Sequence, residues 1–345
     1  MPKPILFSNP NAYGGRTAKW TEYARKLLRD FGIEHEAIAT QPDRKTIEIV
    51  RRAIDESGVR LAIAMGGDGT FSEVAQGVLS SQHASEVTVA LLPTGTGNNQ
   101  GKSFGMKSGD RALPENVRAI AEGKTMLLDA GRLQHLDEEN RAIKTDWFVD
   151  SLSFGWDAEI VEKSNRDRAT VSSIPFLSEI YRDQLIYVGA SIQHSIATLY
   201  RDRAFDVCVE IDGGKHHYQS AIDIIVKNTL VYGGDWIPAP DSLPDDGYFE
   251  LIPVMGRGEF FWKAIANLRS GPFSEADFRR WGIALSPTRR GSAFQFEILP
   301  QYRHSIPAGQ MDGEEYQVSS RFRIDVRQQV LRFVVPQSYS RDRRD

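Results

Sequence analysis

Leu61-Ala62-Ile63-Ala64-Met65 runs directly into Gly66-Gly67-Asp68-Gly69-Thr70, and the residues that follow, Phe71, Val74, Ala75, Val78 and Leu79, recur at helical spacing. A short continuous apolar run suits a parallel strand buried on both faces. The glycines let backbone approach a ligand closely, and Thr70 with Glu73 reads as a capping box at the start of the helix. Strand, glycine loop and helix in that order aim bare amides and the positive end of a helix dipole at one point, which is an anion site. Asp68 would repel phosphates unless a cation lay between, so the loop implies a nucleotide together with magnesium.

On either side of this stretch short apolar strands alternate with amphipathic helices. Ile5–Ser8 precedes a helical face of Trp20, Ala24, Leu27, Leu28 and Phe31; His35–Thr40 precedes Ile47, Val50 and Ile54; Val87–Leu92 follows. Such βαβα repetition predicts a parallel sheet covered by helices, with ligands at the carboxyl ends of the strands. Three loops rich in glycine or small polar residues fall at those ends: 9–15, 66–70 and 93–99. Beyond about Leu133 the texture changes to β-forming segments such as Phe205–Ile211, Phe294–Ile298 and Val330–Val335, with turn signals at Asp212-Gly213-Gly214 and Asp246-Gly247. The expected organisation is an α/β nucleotide-binding domain over 1–132, a linker near 127–133, and a mainly antiparallel β-sandwich domain over 133–336. One helix is expected inside the second domain at 174–200, and the tail 337–345 reads as flexible.

The chain has 345 residues and a formal net charge of −4, which suits two soluble domains and argues against a dedicated nucleic-acid binder. Arg279-Arg280 and Arg289-Arg290 read as solvated surface charge that an anionic surface could still attract. A lone cysteine, Cys208, excludes an internal disulfide and fits a reducing compartment. No apolar run approaches the ~20 residues of a membrane-spanning helix, and the N-terminus lacks the core of a secretory signal, so any encounter with lipid is expected from the cytosol. Gly95 to Gly101-Lys102-Ser103 has one residue too many for a P-loop, and Gln100 stands where a dinucleotide fingerprint needs glycine. His216-His217 has no second ligand pair at metal spacing and reads as part of an exposed turn.

Further short motifs accompany the glycine loop in a fixed order. They are Asn9-Pro10, Leu92-Pro93-Thr94-Gly95-Thr96-Gly97-Asn98, Leu128-Asp129-Ala130-Gly131, Phe154-Gly155-Trp156-Asp157-Ala158-Glu159, Tyr232-Gly233-Gly234, Asp245-Asp246-Gly247 and Asp312-Gly313-Glu314. In these the chain resembles the diacylglycerol kinase catalytic-domain family of lipid kinases, which includes bacterial soluble lipid kinases and sphingosine kinases, with NAD kinases as remote relatives. The resemblance covers almost the whole chain. It implies an NAD-kinase-like first domain, with ATP between the domains near Asn9, Thr40, Gly66, Gly67, Asp68, Gly69, Thr70, Phe71, Ser72, Gly95 and Thr96. It makes Glu314 the general base toward a lipid hydroxyl, with Asp68 as its catalytic companion. Leu243, Asp246 and Tyr248 match a structural magnesium site, and Asp68 and Asp129 would hold magnesium in the active site.

Where the family usually carries Asn-Asp this chain has Asn98-Asn99, so one carboxylate of the magnesium network is replaced by an amide that supplies no charge. The activity implied is an ATP- and magnesium-dependent phosphorylation of diacylglycerol or a related lipid by a cytoplasmic protein that meets the membrane peripherally, for which a homodimer is compatible. Ile174, Phe176, Leu177, Tyr181, Trp236, Phe260, Phe261 and Trp262 are candidates for the acceptor's apolar slot, or plain core. Two rival readings are a kinase of a soluble acceptor, as in NAD kinases, and a nucleotide-binding protein that has lost catalysis.

Overall fold

The computed structural model describes residues 2–9, 16–95, 97–159, 161–162, 204–234, 236–266, 274–299 and 306–341. The expected helix at 174–200, Thr96, the loop 10–15 and the last four residues lie outside them.

The first part of the chain forms β1 (Ile5–Ser8), α1 (Arg16–Asp30), β2 (Glu36–Ala39), α2 (Lys45–Ser57), β3 (Leu61–Gly66), α3 (Asp68–Leu79), β4 (Thr88–Pro93), α4 (Asn99–Ser103) and α5 (Leu113–Glu122). β2, β1, β3 and β4 lie side by side and all parallel, as the alternation predicts. Successive side chains of a strand point to opposite faces, and the core divides accordingly. Ile5, Phe7, Ala62 and Ala64 meet Val50, Ile54, Phe71, Val74 and Val78 of α2 and α3. Leu6, Ile63, Met65, Ala90 and Leu92 meet Ala24, Leu28, Leu113, Val117 and Ile120 of α1 and α5 on the other side.

The rest is antiparallel: β5 (Thr125–Leu136), β6 (Ala142–Phe148), β7 (Ser151–Gly155), β8 (Phe205–Ile211), β9 (Gly214–Ala221), β10 (Asp223–Lys227), β11 (Phe249–Val254), the helices α6 (Arg257–Ala266) and α7 (Glu275–Arg280), β12 (Arg289–Gly291), β13 (Ala293–Leu299), β14 (Gly309–Met311), β15 (Glu314–Tyr316) and β16 (Arg321–Val334). A six-stranded sheet in the order β12-β11-β10-β7-β14-β15 faces the antiparallel part of a ten-stranded one. Phe154 of the first packs against Phe205, Phe296 and Phe322 of the second at ring-centroid distances of 5.6, 5.7 and 5.5 Å. His216 and His217 sit on the β8–β9 hairpin beyond the Asp212-Gly213 turn, and Cys208 is half-buried with a free thiol.

Three expectations need correcting. No linker occupies 127–133, because β5 runs straight through it and pairs with β16 along nearly its whole length. The last strand does not stay in the second half either. Arg332 and Phe333 of β16 pair in parallel with Thr88 and Val89 of β4, and Leu331, Phe333 and Val335 are buried in the first core. The tail is pinned as far as Arg341: Lys124 Nζ donates to the carbonyls of Gln337 and Tyr339, each at 2.9 Å, and Arg341 pairs with Asp245 at 3.2 Å.

Candidate active site

Parallel register brings the carboxyl ends of β1 to β4 to one edge. Ser8 stands opposite Met65 and Ala39, and Gly66 opposite Pro93. Asn9 follows at that edge, exposed, and Thr40 is beside it with its amide donating to Ser8 O at 2.9 Å. The two glycine loops touch: the amides of Thr94 and Gly95 donate to Gly66 O at 2.8 and 3.1 Å, and a methyl group on Gly95 would overlap the Gly67 backbone. Any side chain at Gly95 would push the loops apart, which is why that position is glycine.

α3 begins at Asp68 with Gly67 as an uncapped, extended N-cap residue, so Thr70 and Glu73 do not form the expected capping box. Thr70 lies inside the first turn instead, its side chain against Gly66. Helix geometry leaves the leading amides of that turn without an intrahelical partner, and they face the loop edge. Phe71 is fully buried in the first core and offers a ligand only backbone. Ser72 is buried too, its hydroxyl donating to Asp312 Oδ2 at 2.7 Å while accepting from Gln76 Nε2 at 2.8 Å.

Asp312 and Gly313 form the turn between β14 and β15, both with positive φ (52° and 85°), as a tight hairpin requires. The buried Asp312 carboxylate also accepts from the amides of Asp150 (2.8 Å), Ser151 (3.0 Å) and Val149 (3.2 Å). Burial, helped by the neighbouring Asp150 carboxylate, raises its pKa to about 6 against those donors. Gln310 Oε1 accepts from the Gly313 amide at 2.7 Å. The turn is thereby fixed, and it lays Glu314 over the first turn of α3: a methyl group on Gly69 would overlap the Glu314 carboxyl. One built on Gly313 would stand 4.0 Å from Asp68 Cβ. Glu314, Gly69 and Asp68 thus share one spot although some 245 positions separate them in sequence.

Asp68 spends its carboxylate on α4, its oxygens accepting from the amides of Asn99 and Gln100 at 3.0 Å each. Burial raises its pKa, those amides oppose the rise, and Asp150 adds to it. Asn98, at φ 53°, locks the Gly95 loop by a reciprocal pair of side-chain hydrogen bonds. Asn99, the residue that replaces an expected carboxylate, accepts from the Gly234 amide at 3.0 Å, and Lys102 Nζ donates to Gly234 O at 2.9 Å. An amide oxygen is sufficient for that bond.

Asp129 is not given to the glycine loop. Its carboxylate accepts from the amides of Gly247 (2.6 Å) and Gln329 (2.7 Å), and its own amide donates to Pro244 O at 2.7 Å, so it holds the 244–247 loop against the bulge of β16. Burial raises its pKa to about 6. In that loop Asp246 pairs with Arg290 and accepts from the Tyr248 amide at 3.1 Å, and Arg290 also lies 4.3 Å over the exposed Tyr248 ring. Leu243 is half-buried at its start. The buried Glu250 adjoins it, its pKa raised to about 7 by burial and then by Asp246, and its Oε2 has no hydrogen-bond partner. Excess acid with an orphaned oxygen fits a hard cation. Among the described residues no three acidic or His/Cys side chains converge tightly enough to hold one alone, so backbone carbonyls would have to complete its shell.

Sequence reasoning missed a buried polar layer beneath Glu314. Lys227 and Asp150 form a fully buried ion pair that Thr229 joins. Tyr232 donates to Asp157, which also accepts from Ser153 Oγ at 2.7 Å, and Gln310 Nε2 donates to Tyr232 Oη at 2.9 Å. Burial pushes Asp157 and its neighbour Asp223 up, Asp223 well above the usual carboxylate range. The available signal was a charge ending an apolar run, as in Ile224-Ile225-Val226-Lys227. Trp236 and Phe260 are packed together nearby at 5.3 Å.

Residues 3–133 match the model of the diacylglycerol kinase catalytic domain. A Cronobacter sakazakii protein named "Probable lipid kinase YegS-like" is 27% identical over 232 residues, which span 66% of this chain and 66% of that protein's own length. The solved structure of a diacylglycerol kinase from Bacillus anthracis superposes with a TM-score of 0.68 at 18% identity, covering 98% of each chain. Yeast NADH kinase shares the fold more distantly, with a TM-score of 0.51 at 10% identity over 99% of this chain and 85% of that one. By its glycine loop and the match of the family model, the segment 3–133 of this chain is a diacylglycerol kinase catalytic domain.

Proposed function

We propose that this protein is a lipid kinase that transfers the γ-phosphoryl group of ATP to a hydroxyl of diacylglycerol or a related lipid. The observation that carries the reading is the Glu314 carboxyl lying over the first turn of α3, an acid within reach of the place where helix amides gather phosphates. Main-chain amides of 68–70 and the helix dipole steady the triphosphate, which enters with its magnesium as substrate. Glu314 takes the proton of the acceptor hydroxyl as that oxygen bonds to the γ-phosphorus and the bond to the β-phosphate oxygen breaks, leaving ADP. Asp312 and Gln310 hold the turn, so the base needs no reorganisation at the moment of transfer. A second magnesium, held by Asp246 with the carbonyls of Leu243 and Tyr248, would supply charge neutralisation to the acidic loop that Asp129 anchors.

Incubation with γ-labelled ATP, magnesium and a total lipid extract tests this reading. Label is expected in a chloroform-soluble product, with none transferred to NAD, and Glu314→Gln is expected to abolish it while the fold persists. ATP binding without any labelled product would favour the reading in which Asn99 marks lost catalysis, and labelled NADP would favour the soluble acceptor.

A further inference from the structure

The turn of Asp312 and Gly313 that carries Glu314 is gripped from two sides. The Asp312 carboxylate accepts from Ser72 and from the amides of 149–151, while the Gly313 amide donates to Gln310 Oε1 at 2.7 Å. A carboxylate accepts whichever way it turns. The carboxamide of Gln310 has two unlike ends: its oxygen receives the Gly313 N–H, but turned over it would set its own NH2 against that amide, donor facing donor. The direction in which Gln310 points therefore decides whether the second grip exists.

That direction is dictated from the far end. Gln310 is buried, and its Nε2 donates to Tyr232 Oη and to Ser153 Oγ of β7, each at 2.9 Å, with Ser151 Oγ more distant at 3.4 Å. Each hydroxyl has one proton and gives it to Asp157: Tyr232 donates to Oδ2, and Ser153 Oγ lies 2.8 and 2.7 Å from the two carboxyl oxygens. The two hydroxyls also stand 3.3 Å from each other, a weaker contact than either makes with the acid. A hydroxyl whose proton is committed offers lone pairs alone, so it can meet only the NH2 end of Gln310.

Asp157 can act as the common acceptor because its neighbour keeps a proton. Asp223 is fully buried, accepts from the Asp157 amide at 3.3 Å, and is raised well above the usual carboxylate range by burial and then by the Asp157 charge. Burial raises Asp157 too, but Tyr232, Ser153 and the Asp223 carboxyl oppose the rise by hydrogen-bonding its ionised form. Tyr232 is pushed far above an ordinary phenol by burial and by the two acids, so it keeps the proton it donates. The bonds thus run one way, from the Gly313 N–H to Gln310, from Gln310 to two hydroxyls, and from both hydroxyls to one carboxylate. Asp157 and Tyr232 belong to the motifs Phe154–Glu159 and Tyr232–Gly234, which neither the glycine loops nor the base accounts for.

We propose that Asp157 is a positioning residue for phosphoryl transfer: acting through Tyr232 and Ser153 in parallel, it holds Gln310 oxygen-first against Gly313 and so fixes where Glu314 stands over α3. Its effect on turnover rests on the reading of Glu314 as the base, but the relay of hydrogen bonds needs no substrate and is measured without one.

Hydrogen exchange of the Gly313 amide is followed by NMR in the full chain labelled at glycine, beside kcat and KM with ATP and detergent-dispersed lipid. Because two hydroxyls serve one carboxamide, Tyr232→Phe and Ser153→Ala should each speed exchange less than about threefold, and together about tenfold, the upper end of what one net hydrogen bond supplies. The fall in kcat should show the same more-than-additive pattern while KM for ATP stays unchanged. Gln310→Met, which keeps the length and removes the carboxamide, should match the double variant, and combining all three should change nothing further. The relay is wrongly assigned if Gln310→Met exchanges Gly313 at the wild-type rate, if the two hydroxyl deletions simply multiply, or if KM for ATP worsens along with kcat, as general loosening of the fold would cause. Should the double variant fail to fold, the exchange rate and the kcat-against-KM split of Gln310→Met decide alone. A wild type that phosphorylates no lipid would overturn the proposed function, while the exchange rates would still judge the relay.

Discussion

Gly69 is the residue on which the two halves of the site meet. Gly69→Ala should leave or slightly raise stability, because alanine favours a helix by about 1 kcal/mol over glycine, while the added methyl displaces the Glu314 carboxyl. A base displaced by ~1 Å costs on the order of a hundredfold in turnover, so kcat should fall steeply with the melting temperature unchanged, measured side by side on one preparation. Glu314→Gln should lose between about a hundredfold and ten-thousandfold. Lys227→Met is a different kind of change. It strips the buried Asp150 of its counter-charge and should destabilise by about 3–5 kcal/mol in denaturant titration. These residues differ in how visible they were beforehand. Glu314 and Asp68 stand in short motifs rich in glycine, where local chain geometry and chemistry coincide. Lys227, Asp150 and Gln310 acquire meaning only from partners far along the chain, which no local pattern encodes. Phe71 and Ser72 illustrate the converse, since their place in the motif says nothing of the side on which a helix turns them.

β16 shows what strand patterns hide. The buried parallel strands β1, β3 and β4 were legible because both faces are covered and the apolar run is unbroken. In β16 the first part alternates against β13, the register to β5 shifts between Arg327 and Leu331, and only the final residues reach β4. Its C-terminal end therefore read as a separate short strand of the second half. The capping box was misread for a related reason, as Asp68 turns its carboxylate to α4 and begins the helix earlier than Thr70 could. Because Leu331, Phe333 and Val335 complete the first core, a fragment ending at 132 should be unfolded by circular dichroism and proton NMR. In the intact chain Phe333→Ala should cost about 3–5 kcal/mol.

Across the molecule, buried carboxyl groups set how stability responds to pH. Asp129 and Asp312 are raised to about 6 and Glu250 to about 7 in the folded protein. A raised carboxyl binds its proton more tightly folded than unfolded, so the stability it permits is present at low pH and lost as pH climbs through the folded pKa. The melting temperature should decline between about pH 5 and pH 7.5, on the order of 5 °C, and Glu250→Gln should flatten part of that slope. Magnesium should oppose the decline at the upper end and do little at the lower, where Glu250 is protonated; calorimetry with and without the ion decides this. The position of β16 also bears on the order of biosynthesis. While the ribosome is still making residues 321–335, the loop at 66–70 already exists, yet the strand that completes its core and the carboxyl that lies over Gly69 are only then emerging, so the two halves of the candidate site come together late in synthesis.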